Sequence, residues 1–386
     1  MAAEGEIQIE LVEGVRAIDR EAWNQLVGDE SPFLEWDWLA SLEEAGCVGE
    51  GTGWDARPLV AFASGRPVAA CPLYLKSHSE GEFVFDWAWA DAAERAGIQY
   101  YPKLLVGVPF TPVSGRRFLC SDPQGTARYG PVLADALREV CDSNDLSGVH
   151  VNFCREDEAD QLSEVGYLKR VGIQYHWNNE GYEDFEAYLG RFRSKRRNQI
   201  RRERREVGKQ GVRVETRAGA EIGDELFEPL YRFYLSTIQA RMYGRQYLNP
   251  EFFDLLRQRF KDRLVFVVAF RGETPIAGAF NVAKGNTLYG RYWGAAEHVR
   301  NLHFEVCYYA GIEHCIDNGL ERFEPGAGGE YKQIRGFDAQ PTFSSHFLTD
   351  PRLRAAVDRF LVAERDEASD AIDFLHERSA LKPPGS

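Results

Sequence analysis

The sequence predicts an α/β (α+β) fold made of two related units in tandem, each a mixed central sheet flanked by helices. Three observations carry that expectation. The order of elements over 288–337 is strand, helix, strand and glycine-rich loop: 288–293 is rich in aromatics, 302–318 has apolar residues near helical spacing, and 320–325 is short and apolar. A hairpin occurs twice. Residues 57–76 and 264–283 align at an offset of 208, with Val60-Ala61-Phe62 on Val268-Ala269-Phe270 and Pro67-Val68-Ala69 on Pro275-Ile276-Ala277. At 386 residues the chain is also more than twice a typical single domain. The expected division is an N-terminal unit over 1–180, a basic helical connector over 181–211, and a C-terminal unit over 212–386 that carries the site.

Taken in order, 7–12 reads as a strand and 19–27 as a helix. Ser31 as N-cap with Pro32 at the first position starts a second helix containing Trp36, Trp38 and Leu42. The 46–53 stretch is glycine-rich, but no Gly-Lys-Ser/Thr follows, so it is not a phosphate loop. Phe83, Phe85, Trp87 and Trp89 alternate strictly, the pattern of a half-buried strand. Residues 99–113 read as a loop, 127–141 as a helix, and 149–153 and 172–177 as strands. His176, inside GIQYHW, reads first as a structural histidine. A strand at 212–217, helices at 226–237 and 250–260, a strand at 342–348 and a closing helix from 351 to about 375 complete the chain.

Composition narrows the function classes. The N-terminal residues MAAEGEIQIE are acidic and do not read as a signal peptide, and no run approaches the roughly 18 apolar residues of a membrane span. Seven cysteines lie scattered without a CxxC pair, so buried free thiols and a cytoplasmic setting are expected, with no metal site. The net charge is −14, unevenly spread: residues 191–209 hold ten Lys or Arg against two Glu, leaving −22 on the rest. Phe192, Ile200 and Val207 form one narrow apolar stripe on that helix. Lys195, Arg196, Arg197, Arg201 and Arg202 on the remainder read as a dock for a polyanion, namely RNA, a nucleotide-linked substrate or an anionic membrane surface. A solvated helix paired with acidic neighbours explains the same charges.

No GxGxxG at a strand–helix junction, GxxxxGK[ST], GxSxG elbow or HExxH is present. Other segments are more informative: Ser31-Pro32-Phe33-Leu34, Gly81-Glu82-Phe83-Val84-Phe85-Asp86-Trp87, Tyr100-Tyr101-Pro102-Lys103-Leu104, Val108-Pro109-Phe110-Thr111-Pro112, Gln174-Tyr175-His176-Trp177-Asn178, Tyr289-Gly290-Arg291-Tyr292-Trp293-Gly294, Leu302-His303-Phe304-Glu305-Val306-Cys307-Tyr308-Tyr309, and Glu330-Tyr331-Lys332 with Arg335-Gly336-Phe337. From about Ser31 to Arg378 the chain resembles the FemAB-like family of N-acyltransferases involved in peptidoglycan biosynthesis, within the GNAT superfamily. The resemblance implies tandem GNAT-like domains and transfer of an acyl or aminoacyl group to an amine of a cell-envelope precursor or other small substrate. It implies no permanently bound cofactor. The acyl donor is left open between aminoacyl-tRNA and acyl-CoA, with tRNA and an anionic membrane as the other partners. A non-catalytic RNA- or nucleotide-sugar-binding module on a transferase fold is the rival reading. GNAT enzymes that use acetyl-CoA carry a Q/R-x-x-G-x-G/A turn before the central helix. Here 297–303 reads EHVRNLH, without glycine, which favours an aminoacyl-tRNA donor.

The chemistry needs a base for the amine and donors for an oxyanion. Glu305 and His303, at the helix start, are the candidate catalytic residues. Arg291, Tyr292, Trp293, Tyr308, Glu330, Lys332 and Arg335 are candidate substrate-binding residues. Glu324 ranks below them. The loop Gly326-Ala327-Gly328-Gly329 brings backbone amides close to a ligand.

Overall fold

The computed structural model describes residues 7–240, 244–329 and 331–382. Two compact units form. Unit 1 holds the chain up to Gly172 together with Pro341–Asp370, and unit 2 holds Ile173–Gln340 and the chain from Ala371 onward. These units differ from the contiguous division expected over 1–180, 181–211 and 212–386. The two long strands Leu168–Asn178 and Asp338–Leu348 and the closing helix Pro351–Glu377 each carry residues of both units. The supposed connector 181–211 is therefore internal to unit 2, where Phe192 and Ile200 join one apolar cluster and Val207 another.

In unit 1, Ile7–Leu11, Leu59–Ala63, Arg66–Cys71 and Leu119–Cys120 form a four-stranded antiparallel sheet. A second sheet runs Trp54–Ala56, Leu73–Lys76, Lys103–Val106 and Gly148–Cys154. Its Lys103–Val106 and Gly148–Cys154 strands are parallel, and the helix Pro123–Ser143 makes the crossover that a parallel pair requires. Unit 2 has the order Arg213–Ala218, Leu264–Arg271, Thr274–Lys284, Thr287–Ala295, Arg322–Glu324 and Leu168–Asn178. Its parallel pair, Thr287–Ala295 with Arg322–Glu324, is likewise joined by a helical crossover beginning at Leu302.

The repeat read from the sequence extends to a local irregularity. Register shifts fall between Ala61 and Phe62 in unit 1 and between Ala269 and Phe270 in unit 2, equivalent positions in the two hairpins. In both, the shift brings the phenylalanine opposite the proline of the returning strand, as Phe62↔Pro67 and Phe270↔Pro275. Proline has no N–H to give to the ladder, and a bulge is one of the few places where a sheet accepts it.

Two local expectations fail for identifiable reasons. The aromatic alternation at 83–89 is not a strand: Phe83 takes φ +62° and the helix Trp87–Arg95 follows. Trp89 and Ala93 are its buried residues, four apart, a spacing that fits a helix as well as alternation fits a strand. The supposed loop at 99–113 contains the buried strand Lys103–Val106. Near the N-terminus, Ser31 Oγ accepts from Phe33 N at 3.4 Å, but only a short 3₁₀ turn follows, and the helix proper is Trp36–Glu44.

Close backbone approach fixes one glycine in unit 2. A Cβ on Gly294 would stand 1.8 Å from the carbonyl oxygen of Phe233 in the helix Phe227–Gln239. Gly294→Ala should therefore cost about 2 kcal/mol or more, a core overpacking penalty, read as a lowered urea midpoint.

Candidate functional site

The site of unit 2 is built where two parallel strands part. Thr287–Ala295 pairs with Arg322–Glu324 over Thr287↔Arg322, Leu288↔Phe323 and Tyr289↔Glu324. The first strand then continues to Ala295, held on its other edge by Thr274–Lys284, while the second ends and the chain turns into Pro325. Two glycines permit the crossing. A Cβ on Gly290 would meet Pro325 Cα at 3.1 Å, and Gly326, at φ +87°, would meet Gly290 O at 3.1 Å. The same strand carries a bulge. Phe280 faces Tyr292 and Asn281 faces Gly290, so Arg291 is the inserted residue. Bulges re-aim side chains at sites of this kind.

Alternation along the strands gives the site two faces. Leu288, Phe323 and Trp177 pack in one cluster with Ile312 and Cys315 of the crossover helix. Tyr289, Glu324 and His176 occupy the intervening positions and point the other way. Further along, Tyr292 meets Tyr234 of the helix Phe227–Gln239 at 5.1 Å, and Thr237 Oγ1 donates to the Trp293 carbonyl at 2.5 Å.

On the crossover-helix face, His303 lies edge-on to Trp293 at 4.8 Å and to Tyr308 at 5.3 Å. Burial, aided by the charges of Arg335 and Lys332, pushes its pKa down to about 4, so the ring is neutral near pH 7. Lys332 is buried, its Nζ donates to the Gly326 carbonyl, and burial lowers its pKa to about 8. Arg335 is buried too. Its Nη2 lies 3.0 Å from Glu203 Oε2, its Nε donates to Tyr309 OH at 2.8 Å, and its guanidinium stands 3.4 Å from the Phe304 ring centre. Tyr308 also packs against Phe337 at 5.4 Å. His303, Trp293, Tyr308, Lys332 and Arg335 thus come together on one side of the parting strands.

Other expected residues are placed differently. The helix widens to a π-turn over Glu305–Tyr309. There Glu305 accepts from Arg204 Nε at 3.1 Å and Nη2 at 2.8 Å, and Arg204 also holds Glu313 at 2.7 Å. Burial raises the Glu305 pKa while Arg204 opposes it. A carboxylate engaged this fully with a guanidinium is a poor candidate for a free base. Arg291 is half-buried, desolvation lowers its pKa, and its charge reaches Glu324. Glu330 lies outside the described residues.

The basic helix Ser194–Lys209 is partly neutralised. Arg201 pairs with Glu186 and Arg204 with Glu305 and Glu313. Arg196 Nη1 donates to Gln199 at 2.9 Å. Lys195, Arg196, Arg197 and Arg202 make no ion pair among the described residues. Three of these four stand in the first turn, which holds no acidic residue and whose N-cap, Arg193, offers no capping side chain. Among the described residues no helix is long and apolar enough to cross a membrane, and no cluster of His, Cys, Asp or Glu could hold a metal.

The structure brings together two residues that the sequence ranks low. Glu324 and His176 face each other at 3.9 Å, both buried. Burial raises Glu324 to about 7, against the pull of Arg322 and Arg291. Burial lowers His176 to about 3, as do the charges of Arg322 and Lys332. Nothing in sequence spacing pairs position 176 with 324; only the register of the two strands does.

The FemAB-like family model, described as peptidoglycan biosynthesis/recognition, matches residues 14–383. The chain belongs to that family. Solved structures similar to this FemAB-like chain include FemX, at 11% identity and TM-score 0.56, covering 88% of this chain and 98% of that one. The lysylphosphatidylglycerol synthetase domain from Agrobacterium fabrum, titled as putative, is 11% identical at TM-score 0.54, covering 90% and 96%. L-PGS from Bacillus licheniformis is 10% identical at TM-score 0.50, covering 83% and 95%. At these identities the likeness establishes the fold. No curated protein matches the chain. The architecture is α/β, with two units of mixed sheet flanked by helices, as the sequence predicts.

The His303 ring gives the site a pH signature. Its folded-state pKa lies below the unfolded value of 6.5. Above that value both states are neutral at this ring. As pH falls towards 4, the unfolded chain takes up a proton that the folded chain resists, and stability declines. His303→Gln should lose less stability than the wild type between pH 7 and 5 in urea titrations. Equal losses in the two proteins would show that the ring is not held neutral by its surroundings.

Proposed function

We propose that this FemAB-like protein transfers an acyl or aminoacyl group to an amine of a cell-envelope precursor, with aminoacyl-tRNA as the donor and a cytoplasmic setting. The observation that carries this reading is the end of the parallel ladder at Tyr289↔Glu324, after which one strand runs on to Ala295 while the other turns into Pro325. Beyond that row the strand Thr287–Ala295 loses its parallel neighbour, and the Gly326–Gly329 loop begins against Gly290. An acyl carbonyl laid there meets backbone amides that can stabilise the oxyanion of a tetrahedral intermediate. His303 and Lys332 lie beside the opening for the polar part of the substrate, and Trp293 and Tyr308 for the apolar part.

Charge at the start of the crossover helix favours aminoacyl-tRNA over acyl-CoA. A pyrophosphate grip uses free N–H groups at a helix N-terminus. Here Asn301, in the left-handed conformation at φ +65°, replaces the glycine turn and donates to Glu206 Oε2 at 2.7 Å. Arg300 N donates to Gln210 Oε1 at 3.3 Å. A pyrophosphate arriving there would meet a carboxylate. The unpaired cations Lys195, Arg196, Arg197 and Arg202 offer an alternative anchor for nucleic acid backbone. FemX and the lysylphosphatidylglycerol synthetase domain share this fold, and their names place them in cell-envelope synthesis and aminoacyl-lipid synthesis respectively.

The test pairs purified protein with charged tRNA or acetyl-CoA as donor and a lipid-linked peptidoglycan precursor as acceptor, and scores amide formation by mass spectrometry. Transfer is expected from charged tRNA, at least tenfold lower in His303→Ala. Salt-sensitive RNA binding with no turnover on either donor would instead identify a binding module.

Binding is checked separately. Arg196→Glu combined with Arg197→Glu and Arg202→Glu should weaken tRNA binding at low salt and flatten the dependence of log K on log salt by roughly 2 to 3. Arg201→Glu, already neutralised by Glu186, should change it less. If the triple variant loses anionic vesicles but keeps tRNA, the helix is a membrane contact.

A further inference from the structure

The strands that form the opening carry a second titratable pair, on the face away from His303. Rows Arg322↔Asn178 and Phe323↔Trp177 pair the two antiparallel strands, and the next row brings Glu324 beside His176. Glu324 Oε2 and His176 Nε2 stand 3.9 Å apart, beyond hydrogen-bond reach, and neither has a hydrogen-bond partner. The residues are 5% and 7% exposed, so both atoms have been withdrawn from bulk water without a replacement. Glu324 is also the last residue of the parallel pairing, immediately before the strands separate. Its carboxylate therefore lies at the end of the parallel ladder, next to the turn into Pro325.

Unit 1 offers an internal comparison. There the second strand of the parallel pair carries His150, opposite Leu105, and its antiparallel neighbour carries His346. The two rings close on each other, Nδ1 to Nδ1 at 2.8 Å. In both units the second strand of the parallel pair and its antiparallel neighbour thus carry a buried titratable pair. In unit 1 the pair is joined by its own hydrogen bond. In unit 2 one member is a carboxylate and the pair stands open.

We infer that Glu324 is the catalytic base for the acceptor amine and that His176 is a positioning residue that orients that amine. The inference rests on the acyl-transfer reading and deepens it by assigning the acceptor to this face. Glu324 takes one proton from the acceptor's ammonium group, giving a neutral amine and a neutral carboxyl. The amine nitrogen attacks the donor's ester carbonyl carbon. The C–N bond forms, the ester C–O bond breaks, and the departing ribose oxygen takes the proton released from nitrogen. The Glu324 carboxyl then loses its proton to solvent. The charged groups acting on Glu324 are Arg322, whose Nη1 is 3.6 Å from Oε1, and Arg291 at the bulge; the neutral His176 ring faces it across the strand pair. Burial outweighs the pull of Arg322 and Arg291, so the carboxylate keeps its basicity. An acceptor with a primary amine beside a hydrogen-bonding group suits this pair, with the amine on Glu324 and the second group on His176.

The transfer assay separates the outcomes. Glu324→Gln is expected to lower kcat about a hundredfold or more, the scale of a lost general base, with KM changed less than about threefold. Glu324→Asp should recover part of the loss. The wild-type kcat should fall on the acid side with a midpoint near pH 7, and that limb should vanish in Glu324→Gln. His176→Ala should raise KM for the acceptor more than it lowers kcat. A wild-type enzyme that turns over while Glu324→Gln keeps more than about a third of kcat overturns the inference alone. No turnover in the wild type on any donor overturns the transferase reading and this role with it. Infrared difference spectra add a readout independent of turnover: the protonated-carboxyl band removed by Glu324→Gln should titrate near pH 7, and a midpoint below about 5 overturns the role of Glu324 as base.

Discussion

The buried ion pair between Glu203 and Arg335 is the constraint on which the rest of unit 2 depends. The helix Ser194–Lys209 is strongly cationic, and its buried residues are only Ile200, Glu203 and Val207. Two aliphatic side chains give about 4 kcal/mol of burial, too little to hold so polar a helix without help. Glu203 supplies that help by accepting from Arg335 and from Tyr309 OH, two charge-assisted contacts in a protein interior. The attachment works in both directions. Arg335 follows the glycine loop and Tyr309 lies in the π-turn, so the pair locks loop, crossover helix and basic helix into one arrangement. Breaking a buried pair by removing one partner costs roughly 3–5 kcal/mol because it strands the other charge.

That arrangement sorts the charges by task. Arg204 is committed to Glu305 and Glu313, and Arg201 to Glu186; these contacts are structural. Lys195, Arg196, Arg197 and Arg202 form no ion pair among the described residues; Lys195 and Arg202 are exposed, while Arg196 and Arg197 are half-buried. A cation held by a buried carboxylate cannot also meet a phosphate, so the helix divides into a set paired with carboxylates and a set without an ion pair among the described residues. The same division accounts for Glu305. The residue at the start of the crossover helix that most resembled a base is the one whose oxygens the basic helix uses for its own attachment.

How much of this was legible in the sequence depended on whether the signal was local. The repeated hairpin was, because Phe-then-Pro at a fixed offset records a bulge that both units keep. The crossover helix and the strands around it were legible from periodicity. Trp87 and Trp89 misled because a two-residue spacing at the start of a helix imitates a strand until Ala93 is weighed with Trp89. The limits of the units were illegible because two long strands and the closing helix carry residues of both. His303 and Lys332 could be found as polar residues beside a glycine loop. The pairing of Glu324 with His176 could not, since it follows from strand register across about 150 residues, and register is fixed by packing on the opposite face, where Phe323 meets Trp177.

The two faces of the opening also explain why a carboxylate is tolerated beneath it. A buried charge is expensive unless it is paired or neutralised. Glu305, on the helix face, is paired. Glu324, on the other face, has Arg322 only at 3.6 Å and a neutral histidine beside it, so burial shifts its proton equilibrium upward instead. The difference lies in what each face must do. A face that anchors a helix gains from a fixed charge held by a guanidinium. A face that receives an amine gains from a group that can exchange a proton near neutrality, and that requires burial to outweigh the pull of the nearby guanidinium. The unsatisfied oxygen of Glu324 is therefore a local stability cost, and the rigid strand pairing beneath it keeps that cost from relaxing away.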